Sequence, residues 1–313
     1  MTKFAFVFPG QGSQAIAMMD GFAGNPVVAQ TIAEASDALQ FDLGKLMAEG
    51  PKEELDLTTN TQPVMLTAAV AVYRAWIAAG GPVPSVVAGH SLGEYSALVA
   101  AGVIPFKDAV PLVRFRAQAM QEAVPVGQGT MAVVLGLSDD DVRAACAEAI
   151  AADPSLTVEA VNFNAPAQVV IAGHTAAVER ACDIAKAKGA KRAMKLPVSA
   201  PFHSSLLKPA SDRLREYMAG LTFSAPQIAL INNVDVALLN DPAGIKDALV
   251  RQAAAPVRWV ETMQKVAADG ITQVVECGPG KVLMGLAKRI DANLVGDAIT
   301  DQASLERVLS LLK

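Results

Sequence analysis

Short β-branched and aromatic runs alternate along this chain with longer stretches whose apolar residues recur at helical spacing. Lys3–Phe8, Ser85–Gly89, Ile228–Asn232 and Gln273–Glu276 each end at turn residues and predict strands. Between them the helical period runs through Thr61–Ala79, Leu92–Ala101 and Phe106–Ala123. Pro63 is tolerable in a first helical turn, and Pro105 leads the third helix. Strands separated by helices imply an α/β fold with a mainly parallel sheet, whose active site gathers at the carboxyl ends of the strands.

The middle of the chain has a different rhythm. Gly129–Leu137 predicts a strand and Asp139–Ala151 a helix. Thr157–Phe163 and Gln168–Ala172 predict a strand pair around the turn Asn164-Ala165-Pro166, followed by a helix over Thr175–Lys188 and a strand over Lys191–Val198. The order βαββαβ is that of a ferredoxin-like unit. It predicts a small domain over residues 127–198, inserted into a large α/β-hydrolase-like domain made of 1–126 and 199–313. A cleft between the two is the natural ligand site.

Composition narrows the choice. The 313 residues are 52% hydrophobic and 18% charged, which describes a compact chain able to bury a large core. The net charge of −5 gives no nucleic-acid footprint. No apolar stretch free of Pro, Gly and charge approaches the ~20 residues of a membrane span. The run MTKFAFVFPGQG is too short for a secretory segment. Cys146, Cys182 and Cys277 are scattered, without CxxC spacing or a close histidine. They predict reduced thiols in a cytoplasmic protein, with neither a disulfide frame nor a metal site.

The chemistry begins at Gly89-His90-Ser91-Leu92-Gly93, which fits the G-x-S-x-G elbow between a strand and a helix. A serine hydroxyl needs a base to become a nucleophile, and the chain has three histidines. His90, next to the serine, is expected to point away from its face. His174 follows VVIAG at a small-domain turn and suits a surface or capping role. His203, in PVSAPFHSSLLKP, lies where the chain returns to the large domain and can overhang the cleft. No acid stands out as the orienting group, although Asp235 and Glu276 lie near strand ends. A Ser–His dyad is therefore expected, with a backbone carbonyl after Ile228–Asn232 holding the imidazole.

An acyl-transfer oxyanion also needs donors. The Leu92 N–H at the helix start is one candidate, and the Gln11 N–H in the glycine-rich turn Pro9–Ser13 is the other. That turn lacks the GxxxxGK[ST] lysine of a nucleotide loop. Arg114 and Arg116 stand in the otherwise apolar PLVRFRAQAMQ. An arginine in such surroundings needs an anion, and a substrate carboxylate suits its planar fork.

Together these motifs resemble the malonyl-CoA:acyl-carrier-protein transacylases of fatty-acid synthesis, relatives of polyketide acyltransferase domains. FPGQGSQ (8–14), GHSLGE (89–94), RFRAQAMQ (114–121), VNFNAPAQVVIAG (161–173), PVSAPFH (197–203), NNVD (232–235), QAAAPVRW (252–259) and ECGPGKVL (276–283) follow in that family's order over nearly the whole chain. The resemblance implies Ser91 as acylated nucleophile, His203 as base, and Gln11 and Leu92 as oxyanion donors. It implies Arg116, rather than Arg114, as the malonyl carboxylate clamp. Gln252 and Asn162 resemble supporting polar residues of the pocket, Met120 a pocket wall, and the Asn233 carbonyl the histidine's orienting acceptor. Phe202, directly before the histidine, goes with malonyl rather than methylmalonyl preference. QAAAPVRW lacks the larger residues common after the glutamine. The implied reaction is a ping-pong transfer needing no cofactor, with malonyl-CoA as donor and acyl carrier protein as acceptor. Lys and Arg are expected around the cleft mouth to meet an acidic carrier. A serine esterase or thioesterase, which would share the elbow but end on water, and a polyketide-pathway acyltransferase are the alternatives.

Overall fold

A computed structural model describes residues 3–313, so Met1 and Thr2 of the amino-terminal run lie outside the described residues. The strands are β1 (Phe4–Phe8), β2 (Val86–Gly89), β3 (Gly129–Leu135), β4 (Val158–Ala165), β5 (Gln168–His174), β6 (Arg192–Lys195), β7 (Ala229–Ile231), β8 (Gln273–Cys277) and β9 (Val295–Ile299). Five of them form a parallel sheet in the order β7-β2-β1-β8-β9. β1 is central and apolar at every position, FAFVF, because helices cover both faces of such a sheet and leave none for water.

The predicted strands of this sheet recur, β7 trimmed to three residues. β9 has no counterpart among them. Its sequence, VGDAI, carries a glycine and an aspartate where a strand signal needs branched residues. Gly296 is there for space: a Cβ would come within 2.8 Å of Met284 O in the covering helix. Asp297 is there for charge, bonding Arg307 through both oxygens at 2.6 Å.

The helix expected near Thr61 spans Thr58–Ala78, so Pro63 sits in its second turn rather than its first. Proline has no N–H to give the Thr59 carbonyl, which instead faces Arg114 Nε at 3.4 Å. Together with Gly93–Ala100 and Phe106–Glu122, this helix surrounds the carboxyl end of β2.

The segment read as βαββαβ has that element order. Its strands form an antiparallel sheet, β4-β5-β3-β6, against which the helices Asp139–Ala151 and Thr175–Ala187 pack. The fold is therefore mixed α/β, one sheet parallel and one antiparallel. A local core of Val134, Val142, Cys146, Ile171, Val178 and Cys182 fills the second sheet. Its edge strand β4 is bulged between Ala160 and Asn162 and then takes up a piece of the large layer. The Phe163 N–H donates to Val257 O at 3.0 Å, and the Val257 N–H to Val161 O at 2.8 Å. That seam closes one side of the cleft. No helix among the described residues is long and apolar enough to cross a membrane.

Candidate active site

The elbow at the end of β2 is built by close approach. A Cβ at Gly89 would lie 1.9 Å from the Gly93 carbonyl carbon, and one at Gly93 would lie 2.0 Å from Phe8 O. Neither position accepts any side chain. Between them Ser91 takes φ 51°, a left-handed backbone that a non-glycine residue adopts only when its surroundings hold it there. The holding groups are side chains. Asn233 Oδ1 accepts from the Ser91 N–H at 2.8 Å while its Nδ2 donates to Gly89 O at 2.7 Å, and Gln252 Nε2 donates to Ser91 O at 2.9 Å.

His203 shares the left-handed conformation, at φ 66°. Its loop is fixed on the antiparallel sheet, where Glu159 accepts from the Ser205 N–H at 2.7 Å and from the Ser205 hydroxyl at 2.8 Å. Ser91 Oγ and His203 Nε2 are 2.7 Å apart. On the other ring nitrogen, Nδ1 lies 2.9 Å from Gln252 O, an acceptor, so the N–H is on Nδ1 and Nε2 is left free to take the serine proton. The acceptor is thus the Gln252 carbonyl and not that of Asn233. The Asn233 carbonyl meets the Arg258 N–H instead, and its side chain is committed to the elbow. Burial, with the Arg116 charge beside it, pushes His203 down to about 3, which keeps the imidazole neutral.

Arg116 is 1% exposed, and its acceptors are all uncharged. Nη1 donates to Gln62 Oε1 at 2.8 Å, and Nη2 to Gln252 Oε1 at 2.9 Å and to Ser91 Oγ at 3.1 Å, while Nε has no partner. The guanidinium also lies over the Tyr95 ring at 5.3 Å. Arg114 points elsewhere, to Asn60 Oδ1 at 2.8 Å and over Phe41.

A cavity of about 180 Å³ opens on the dyad. Gln11, Met120, Asn162, Phe202 and Arg116 line it with Ser91 and His203. Asn162 Oδ1 is buried there without a partner. The Gln11 and Leu92 N–H groups have no protein acceptor among the described residues. His90, expected to face away from the serine, is among the residues lining the same cavity, and its ring bonds Asn164 Oδ1 through Nε2 at 2.8 Å and packs on Trp259. The cavity runs into a groove of about 610 Å³, along Gln11, Thr58, Gln121, Ser199 and Phe202. The charged residues lining the groove are Glu53 and Asp56, and Asp56 is paired with Lys52.

The two acids near strand ends are engaged elsewhere. Asp235 is paired bidentately with Arg251, both contacts at 2.8 Å. Glu276 bonds the Met284 N–H at 3.0 Å at the start of the helix Val282–Ile290. His174 accepts the Thr157 N–H on Nδ1 just before the helix Thr175–Ala187. Gln62 and Glu94 are among the residues of the site that were missed from sequence. Gln62 had no signal in an apolar helix, whereas Glu94 had one: an acid in the buried helix of GHSLGE, 1% exposed. Its Oε2 accepts from Gln252 Nε2 at 2.9 Å and from the Asn233 N–H at 3.0 Å.

The acyl transferase domain family matches residues 5–311. The chain belongs to this family. Among relatives of this acyltransferase, the malonyl CoA-acyl carrier protein transacylase of Salmonella typhimurium is 53% identical over 99% of this chain and 100% of its own length. That of Bacillus subtilis is 43% identical, covering 100% and 98%. The crystal structure of acyl-carrier-protein S-malonyltransferase from Burkholderia pseudomallei superposes on the acyltransferase with a TM-score of 0.97 at 69% identity, over 99% of this chain and 100% of the other. A malonyl-transacylase in complex with a type II polyketide acyl-carrier protein gives 0.97 at 51%, over the same shares.

Proposed function

We propose that this acyltransferase moves a malonyl group from malonyl-CoA to the phosphopantetheine thiol of acyl carrier protein, for fatty-acid biosynthesis in the cytoplasm. The observation that carries this is the position of Ser91 Oγ, 2.7 Å from a neutral imidazole nitrogen and 3.1 Å from a buried guanidinium. A nucleophile beside a cation that bonds no carboxylate is suited to an acyl unit that brings its own. Three free, buried cysteines agree with a reducing compartment.

In this mechanism Ser91 Oγ attacks the thioester carbonyl as His203 Nε2 takes its proton. The Gln11 and Leu92 N–H groups stabilise the tetrahedral oxyanion, a contribution of about 3 kcal/mol for one such donor. The CoA sulfur leaves with the proton from His203, giving malonyl-Ser91. The pantetheine thiol then yields its proton to His203 and attacks the ester, and Ser91 is regenerated by the same steps in reverse. Arg116 holds the malonyl carboxylate through both halves. Met120 and Phe202 wall the acyl pocket, and Asn162 and Gln252 supply its polar supports. Residues 127–198 form an inserted ferredoxin-like domain over the large one, a reading supported by their strand order and separate core.

Intact-mass spectrometry after mixing with malonyl-CoA tests this. The expected result is one malonyl adduct per chain, absent in Ser91→Ala and discharged by holo carrier protein. Release of free malonate, at a rate unaffected by carrier protein, would establish the thioesterase alternative instead.

A further inference from the structure

One ionisable side chain behind the dyad has no part in that mechanism. The Glu94 N–H donates to Ser91 O at 3.1 Å, but its carboxylate bonds neither the serine hydroxyl nor any group lining the cavity; a single oxygen, Oε2, takes bonds from Gln252 Nε2 and the Asn233 N–H. The same Gln252 amide accepts from Arg116 Nη2 at 2.9 Å. Carboxylate, amide and guanidinium thus form one line, with exposures of 1%, 0% and 1%. Where water cannot screen, two charges one amide apart interact strongly.

The other charged groups around Glu94 are few. Arg116, on the neighbouring helix, favours its anion, and Asp235, in the loop after β7, opposes it. The charge of Asp235 is largely answered by Arg251. Tyr95 follows on the same helix and is held in its neutral form. Glu94 is therefore the buried counter-charge of Arg116 while the pocket is empty. An incoming acyl carboxylate takes over that task, and two anions then share one cation.

We propose that Glu94 sets acyl selectivity by exchanging charge with the substrate: it binds a proton from solvent as a carboxylated acyl unit seats on Arg116, and stays ionised beside a neutral acyl unit. The inference rests on the carboxylate clamp proposed above. Burial already raises the Glu94 carboxyl to about 7, so the exchange falls within the working pH range.

The test is the ratio of kcat/KM for malonyl-CoA to that for acetyl-CoA, measured from pH 5.5 to 8.5. Titration of the dyad affects both substrates alike and cancels in the ratio. In the unaltered enzyme the ratio should fall about three- to tenfold as pH rises through the Glu94 transition, the size expected for two like charges at an effective dielectric near 20. In Glu94→Gln it should be flat. A flat ratio in the unaltered enzyme, or the same slope retained in Glu94→Gln, overturns the proposal. Calorimetry covers the case of a variant that does not fold. Ser91→Ala, titrated with malonyl-CoA at pH 7 in buffers of different ionisation enthalpy, should take up a proton fraction absent with acetyl-CoA, and equal uptake for both ligands counts against the exchange. Arg116→Ala separates the two ideas. If it harms both substrates equally, the clamp itself is wrong. If it abolishes the malonyl preference while the unaltered ratio shows no slope, only the role of Glu94 fails.

Discussion

Around Ser91 each side chain has a separate burden, and single substitutions separate them. Arg116→Ala should lower malonyl transfer at least about 100-fold and acetyl transfer far less, since each lost charge-assisted bond is worth about 1.5–3 kcal/mol; parallel kinetics with both thioesters check this. Asn233 bears on backbone geometry alone. Asn233→Ala removes both side-chain bonds around a φ of 51° and should cost about 2–4 kcal/mol in denaturant unfolding, with kcat falling more than KM rises. That Ser91, His203 and Arg116 would meet was legible in the sequence because side-chain chemistry restricts residue type. The acceptor for the imidazole was not, because any carbonyl serves, and a carbonyl carries no signature of its residue. The Gln252 carbonyl was hidden for that reason, although the side chain of Gln252 was marked by its motif.

Among the elements, strands whose sequences are dictated by burial were easy to read, and those dictated by neighbours were not. FAFVF declares itself, whereas VGDAI is a strand because Gly296 admits a helix and Asp297 grips Arg307. The helix Val282–Ile290 behind β9 depends on Glu276, which takes its bond from Met284 with one oxygen and leaves the other unpaired. Burial raises the Glu276 carboxyl from 4.5 to about 7, so the folded chain holds this proton more tightly than the unfolded one. Its contribution is complete below pH 4.5 and is lost as pH rises through 7. Glu276→Gln does not titrate, so its stability relative to the unaltered chain should rise by on the order of 2 kcal/mol between pH 5 and pH 8, measured by urea unfolding at each pH.

For the molecule as a whole, alternation and strand order gave the two layers, but no local pattern announces how they join. The join is at Val257, whose N–H and carbonyl complete the ladder of β4. Since that ladder is shared, the layers should unfold together. Trp259 is buried next to the seam, 5.6 Å from the His90 ring, and Trp76 is buried deep in the large core. In Trp76→Phe the remaining tryptophan should report unfolding at the same urea concentration at which activity disappears. Activity lost well before the fluorescence change would mean that the layers part on their own.

The seam has a further consequence for traffic. Val257 lies only five residues beyond Gln252, whose carbonyl steadies the imidazole, so the same short length of backbone is both hinge pin and gunsight. Swinging the layers apart to admit a bulky donor would throw the base out of aim. The aperture should therefore hold one width, leaving the slender tether of the donor or acceptor, threaded end-on, to span the distance to the serine.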